Sequence, residues 1–285
     1  MKSVLTTLSL FILLFIFTVI SSSALAQDSL VAFYPFSGSA EDSSGFAHHG
    51  AVYGATLTED RFGYPNSAYE FDGYSNYIDI GNFEEVRITG DLTVSVWLKS
   101  ASFENFSNAI LTYQADNTDS DSTSNALYKI NFIDSSKLRY AHESGHGENS
   151  THDFSNVTFE TETWYHLILV RNISEKIISV YVNGELADSS SFELLPNGGE
   201  SSTLKIGENH GTVSPERFFN GVLDDIRIYN IVLPDSAIYD LYTERGWPLP
   251  QDSTEIPNDT LIAHFPFNGN AEDESGFDND GIVHG

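Results

Sequence analysis

A stretch of 27 residues, Asp28 to Gly54 (DSLVAFYPFSGSAEDSSGFAHHGAVYG), returns without a gap as Asp259 to Gly285 (DTLIAHFPFNGNAEDESGFDNDGIVHG). The offset is constant (259 − 28 = 231), and about 15 of the 27 positions are identical. Solenoid turns repeat every ~20–50 residues, so a period this long marks a tandem domain. The chain thereby states its own boundaries. A complete unit covers 27–245, and 258–285 is the opening strand and loop of a second. Between them, 246–257 (GWPLPQDSTEIP) carries three prolines and no apolar period, which predicts an extended linker. The copied strand, Leu261 to Phe267, comes without the rest of its domain, so 258–285 is expected to be loosely ordered.

The complete unit is of single-domain size for an all-β protein and long enough to bury a sizeable core. Aromatic residues make up 13% of the chain and supply the bulk; 40% hydrophobic residues argue against disorder. A formal net charge of −28 makes nucleic acid and anionic membrane surfaces poor partners. Lys2, an apolar run from Leu10 to Ile20 and Ala24-Leu25-Ala26 form the three parts of a secretory signal. We read 1–26 as that signal, cleaved before Gln27, with an uncleaved anchor as the alternative. No membrane insertion is then expected after cleavage. The absence of cysteine fits a bacterial exported domain held by its core rather than by disulfides.

The remaining periodicity is that of strands. Leu30–Phe36, Asn76–Ile80, Leu92–Lys99, Trp164–Arg171, Thr203–Ile206 and Gly221–Tyr229 read as strands by alternation or by short apolar runs. Ala126–Ile133 and Lys137–His142 form a predicted hairpin about Asp134-Ser135-Ser136. Lys176–Val182 runs into Asn183-Gly184, a hairpin-turn pair in which both residues tolerate positive φ. Only Pro234–Glu244 reads as helix, opened by proline and carrying Ile238, Leu241 and Tyr242 on one face. The fold class is therefore all-β: a two-sheet antiparallel β-sandwich or jelly roll with one short C-terminal helix.

FYPFSGSAEDSSG, YEFDGYSNYIDIGN, LTVSVWLKS, WYHLILVRN, ISVYVNGELADSS, LKIGEN and FFNGVLDDIRIYNIVL occur in that order. Together they resemble the laminin-G-like jelly roll of the concanavalin A-like lectin/glucanase fold, over about Leu30 to Tyr242. The resemblance implies two antiparallel sheets, one with a concave face, and a binding or adhesion module. It also implies that the first and last strands are neighbours, with a calcium ion joining the last strand to the first loop. Asp42 and Gly45 in the doubled loop and Asp224 on the last strand are the metal candidates, since calcium takes carboxylate and backbone oxygens. The bland alternatives are a loop-capping carboxylate for Asp42 and an ion pair with Arg227 or Arg87 for Asp224. Asp116, Asp119 and Asp121 lack the EF-hand glycine and read as a solvated loop.

Two enzymatic readings are weighed and set aside. His142-Glu143-Ser144-Gly145-His146 is a literal H-E-x-x-H, extended by His152. Zinc chemistry needs the first two histidines one helical turn apart, and a preceding strand with Gly145 and Gly147 opposes a helix. Retaining glycoside hydrolysis needs two carboxylates about 5–5.5 Å apart; Tyr77–Gly81 has the look of that strand but no glutamate. No catalytic residue is assigned. Trp97 and Trp164 sit within apolar strand blocks and read as core. Phe103, Phe106 and Tyr113 are read as loop aromatics and are the ligand-binding candidates. The expected function is a secreted, calcium-stabilised, non-catalytic module for carbohydrate or an extracellular protein ligand. A structural or adhesive repeat of a longer surface protein is the alternative.

Overall fold

A computed structural model describes residues 28–103, 108–115, 126–144, 149–197, 202–209, 218–247 and 281. The chain divides into two compact units, 1–242 and 243–285. Nearly everything described belongs to the first, which is an antiparallel two-sheet sandwich. The opening strand and loop of the second repeat lie outside the described residues, Gly281 excepted. Among the described residues, no helix is long and apolar enough to cross a membrane.

One sheet has eight strands: β1 (Leu30–Tyr34), β3 (Thr56–Thr58), β4 (Ala68–Asp72), β6 (Leu92–Ser100), β11 (Trp164–Asn172), β12 (Ile177–Val182), β13 (Glu185–Ser191) and β15 (Asn220–Tyr229). Their order is β13-β12-β11-β6-β15-β4-β3, with β1 also paired to β15. The other sheet has seven: β2 (Ala51–Tyr53), β5 (Tyr77–Gly81), β7 (Asn108–Ala115), β8 (Tyr128–Asp134), β9 (Lys137–Glu143), β10 (Asn149–Phe154) and β14 (Ser202–Ile206). Their order is β10-β9-β8-β7-β14-β5-β2. The expected neighbourhood of first and last strands is observed, with Ala32 opposite Ile228 and Tyr34 opposite Ile226. The Asn183-Gly184 turn joins β12 to β13 with both φ angles positive, 53° and 81°, as a two-residue hairpin loop requires.

Alternation sets the core. Leu92, Val94, Val96 and Leu98 of β6, Ile130 and Phe132 of β8, and Leu223, Ile226 and Ile228 of β15 point between the sheets. The opposite side of the eight-stranded sheet is buried too, which β6's alternation had not suggested. Ile168, Val170, Tyr229 and Ile238 form a second cluster there, under α1 (Asp235–Thr243). Trp97 sits on that covered side, 2% exposed, with the Arg61 guanidinium 4.3 Å from its ring centre and the His166 ring stacked at 4.7 Å. Of the two tryptophans read as core, Trp97 packs inside, whereas Trp164 is only half-buried at the start of β11 with Lys99 above its ring.

Several positions of the doubled stretch are explained by the fold. Phe36 is fully buried at φ 50°, Ala40 is buried, and Gly38 and Gly45 adopt φ of 88° and 102°, a region that L side chains avoid. Gly50 has no room for a side chain, because a Cβ there would meet Ile78 Cγ2 at 2.5 Å.

Candidate functional site

At the end of the sandwich where β6 exits, three connections meet around an open depression, a shallow cavity of about 400 Å³. Ala101, Ser102 and Phe103 follow β6, Asp134 and Ser135 form the β8–β9 turn, and Phe159 and Thr161 lie between β10 and β11. Buried polar groups fix this frame. The Ser102 carbonyl accepts from Ser100 Oγ at 2.9 Å and from Asn108 Nδ2 at 2.5 Å. The Phe159 amide donates to the Ser135 carbonyl at 2.8 Å, and the Glu162 amide to the Ser100 carbonyl at 2.8 Å. Phe103 meets Phe132 edge to face at 5.1 Å. Phe159 does the same with Phe132 at 4.9 Å and with Tyr165 at 5.0 Å. The aromatic floor is thus held rigidly by the core.

Asp134 supplies the charge at the rim. Its Oδ1 accepts from the amide and the hydroxyl of Ser136, each at 2.8 Å. Those two bonds hold its carboxyl below the usual range, so it is ionised at neutral pH. Its Oδ2 carries no bond among the described residues. An ionised acceptor beside phenyl carbon, with the Ser135 and Thr161 side chains nearby, suits a ligand with an apolar face and hydroxyls at its edge.

The other predicted site residues fall elsewhere. Phe106 lies outside the described residues, as do Asp116, Asp119, Asp121 and His146. Tyr113 is a correction: it is no loop aromatic but the sixth residue of β7, fully buried, with its hydroxyl donating to Asn82 Oδ1 at 2.9 Å. The strand was hidden because Asn108–Ala115 (NAILTYQA) has no clean alternation, and the ladder is irregular there: a shift between Ala109 and Leu111 places both Ile110 and Leu111 in the core.

Asp42 and Asp224 are each engaged. The Asp42 carboxylate accepts from the Phe33 and Ser44 amides (both 2.9 Å), the Ser44 hydroxyl (2.7 Å) and the His48 amide (3.0 Å). Burial alone would raise its pKa; these bonds outweigh it and hold the carboxyl low. It caps the loop along the edge of β1 that faces away from β15. Gly45 serves the same loop through its positive φ. Asp224 pairs with Arg61 at 2.9 Å and Asp225 with the same guanidinium at 2.8 Å, so the partner is Arg61 rather than Arg227 or Arg87. Burial first, and then the Asp225 charge, push the Asp224 carboxyl up against the pull of Arg61. These residues do not fit a shared calcium ion. Among the described residues no group of three or more His, Asp or Glu is placed to hold a metal.

The H-E-x-x-H histidine His142 and Glu143 are in strand β9, not helix. His142 Nε2 donates to the Leu194 carbonyl at 2.6 Å. His152, on β10, lies between Ser150 Oγ (2.8 Å) and Ser190 Oγ (2.9 Å). Both rings pack against Phe192. Sequence reasoning also missed Arg61, whose partner is 163 residues away. Its only local signal is a basic residue in an otherwise acidic chain.

Comparison with known proteins agrees with this architecture. No curated protein matches the chain. Domain 4 of AbnA, a GH43 extracellular arabinanase from Geobacillus stearothermophilus solved in complex with arabinotriose, is similar at 19% identity and TM-score 0.55, over 75% of this chain and 98% of that one. The binding domain of Paraclostridial Mosquitocidal Protein 1 is similar at 18% identity and TM-score 0.57, over 76% of this chain and 52% of its own. A botulinum neurotoxin DC binding domain solved in complex with SialylT is similar at 15% identity and TM-score 0.56, over 76% of this chain and 51% of its own. The chain thus spans about half of each toxin binding domain, and at these identities the likeness is one of fold. A family model matches residues 72–239, more than half of the chain, and with the two-sheet jelly roll it shows that the chain belongs to the concanavalin A-like lectin/glucanase superfamily.

Proposed function

We propose that this domain is an exported, non-catalytic glycan-binding module whose contact site is the cavity beneath Asp134. The observation that carries the reading is the open depression itself: about 400 Å³, with the half-buried Phe103 on its floor and an ionised carboxylate at its rim. A sugar ring offers one face of C–H groups to aromatic carbon and a rim of hydroxyls to acceptors. The Asp134 carboxylate can take two such hydroxyls through its uncommitted oxygen, and the half-buried Phe103, backed by the buried Phe159, takes the ring. The similar structures support this class of ligand, since two of them were solved with arabinotriose and with SialylT. The net charge of −28 favours a neutral glycan over an anionic one.

Export is proposed on the basic, apolar and Ala-x-Ala pattern of 1–26. A non-catalytic role is favoured by Tyr77–Gly81, which carries a single carboxylate, Asp79, opposite Lys205 of β14; paired carboxylates are what hydrolysis of a glycosidic bond asks for. An extracellular protein ligand is the second reading, because a related toxin domain was solved with rat synaptotagmin II. A glycan array read with the full chain, followed by calorimetry on the retained oligosaccharides, tests the proposal. Binding at the cavity should be lost in Asp134→Ala. An array with no retained glycan, or an Asp134→Ala protein that binds as well as the parent, overturns it.

A further inference from the structure

Away from the cavity, Phe46, His48 and Phe83 form a three-ring stack. The Phe46 and His48 rings lie 5.6 Å apart and 18° from parallel; His48 and Phe83 lie 4.3 Å apart and 24° from parallel. Phe46 and His48 come from the doubled loop between β1 and β2, and Phe83 from the loop between β5 and β6. The imidazole is buried at 3% exposure, whereas the two phenyl groups are 46% and 36% exposed. His48 is pinned on three sides: its amide donates to Asp42 Oδ2 at 3.0 Å, its carbonyl accepts the Tyr34 hydroxyl at 2.8 Å, and its Nε2 meets Glu85 Oε2 at 3.1 Å. The Glu85 side chain is 39% exposed beside the stack. His48 Nδ1 is buried without a partner.

Packing does not account for Phe46. Many residues kept in both copies of the doubled stretch are buried, cap a loop or need a special φ; Val52, 39% exposed and kept as Val283, is an exception like Phe46. Phe46 is half exposed, yet the second copy keeps it as Phe277 while His48 becomes Asn279. An apolar side chain retained where water reaches it points to a contact made outside the domain.

We infer that the Phe46–His48–Phe83 stack is a second sugar-binding face, at the opposite end of β6 from the Asp134 cavity. The rings are stacked and do not form a cage, so what they offer a sugar's C–H face is the outer side of a phenyl ring rather than an enclosure for a cation. Stacking on a buried, hydrogen-bonded imidazole fixes the phenyl planes in advance, which lowers the ordering cost of binding. Glu85 stands beside that surface as an acceptor for hydroxyls and disfavours an anionic ligand. The loop holding Phe83 leads into β6 and the cavity loop leaves it, with the nine residues of the strand between them, so the two faces are separate sites. The class of ligand rests on the glycan-binding reading; the existence of the face rests on the stack.

The test is an amide and ring NMR titration of the full chain with methyl glycosides of glucose, galactose, N-acetylglucosamine and arabinofuranose, with tetramethylammonium as the cationic probe. Saturable shifts at Phe46, His48 and Phe83 are expected with at least one glycoside, in the parent and equally in Asp134→Ala. Phe46→Ala should weaken them at least about tenfold, with the rest of its spectrum unchanged as proof of folding. Loss of the cavity shifts in Asp134→Ala with the stack shifts intact confirms two sites. If the glycosides move only the cavity residues, the second face is refuted while the cavity reading stands. If they move only the stack, the cavity reading fails and this one holds. Response to tetramethylammonium alone, or to no probe, refutes the sugar face.

Discussion

His142 should make the domain acid-labile in a way that one substitution isolates. Its ring is fully buried, donates through Nε2 to Leu194 and has no acceptor for a second proton, because Nδ1 is buried without a partner. Burial pushes its pKa down to about 4, and the charge of Arg171 and the neighbouring His152 push the same way, against the Leu194 hydrogen bond. The unfolded chain binds the proton at about 6.5. The folded value is the lower one, so the unfolded state takes up more protons as the pH falls, and stability is lost on acidification. Linkage between 6.5 and about 4 gives a loss of about 2 kcal/mol from pH 7 to pH 5 and about 3 kcal/mol below pH 4. The 41 acidic residues act oppositely, because acid relieves their mutual repulsion, so the parent's pH profile alone is ambiguous. The informative quantity is the difference between parent and His142→Gln, in which the common charge effect cancels. Urea unfolding at pH 7, 6, 5 and 4 should show the variant weaker at pH 7 and gaining about 2 kcal/mol on the parent by pH 5. A difference that stays constant across that range would refute the buried neutral imidazole.

Three further outcomes follow from the same geometry. Arg61→Ala leaves Asp224 and Asp225 buried without their guanidinium and should cost about 3–5 kcal/mol in urea unfolding; a loss under 1 kcal/mol would mean that the pair is not the clasp described. Gly50→Ala places a Cβ 2.5 Å from Ile78 and should cost about 1–3 kcal/mol, visible as a lower Tm, whereas an unchanged Tm would show slack at that contact. Calcium should not contribute: a site filled to 100 times its Kd would add about 2.7 kcal/mol, so a chelator that lowers the Tm would reveal oxygen ligands other than the engaged Asp42 and Asp224.

The layers of this molecule were legible in its sequence to different depths. β6, β11 and β15 announce themselves through alternation or apolar runs, because one face of each must meet the other sheet. The Asn183-Gly184 turn is local chemistry and reads directly. The doubled stretch marks residues whose constraints are backbone geometry and close contact, at Gly38, Gly45 and Gly50. What stayed hidden is what depends on distant partners. Nothing near Arg61 indicates that it will sit on Trp97 and bind two aspartates of the last strand. Tyr113 reads as a loop residue because β7 is irregular and its neighbours are polar, although the fold buries it completely. Phe103 reads as a free loop aromatic; in the fold it is half-buried, and what brings it to the cavity is the meeting of three loops that no single window contains. Asp42 was read through the resemblance as a metal ligand, and four donors within its own turn and strand take its oxygens instead.

The central claim is that the cavity at the exit of β6 holds a sugar. A co-crystal structure of the full chain with an oligosaccharide retained on the array tests it most directly. The account predicts a sugar ring lying on Phe103 with hydroxyls bonded to Asp134. A bound oligosaccharide that leaves this cavity untouched would contradict it.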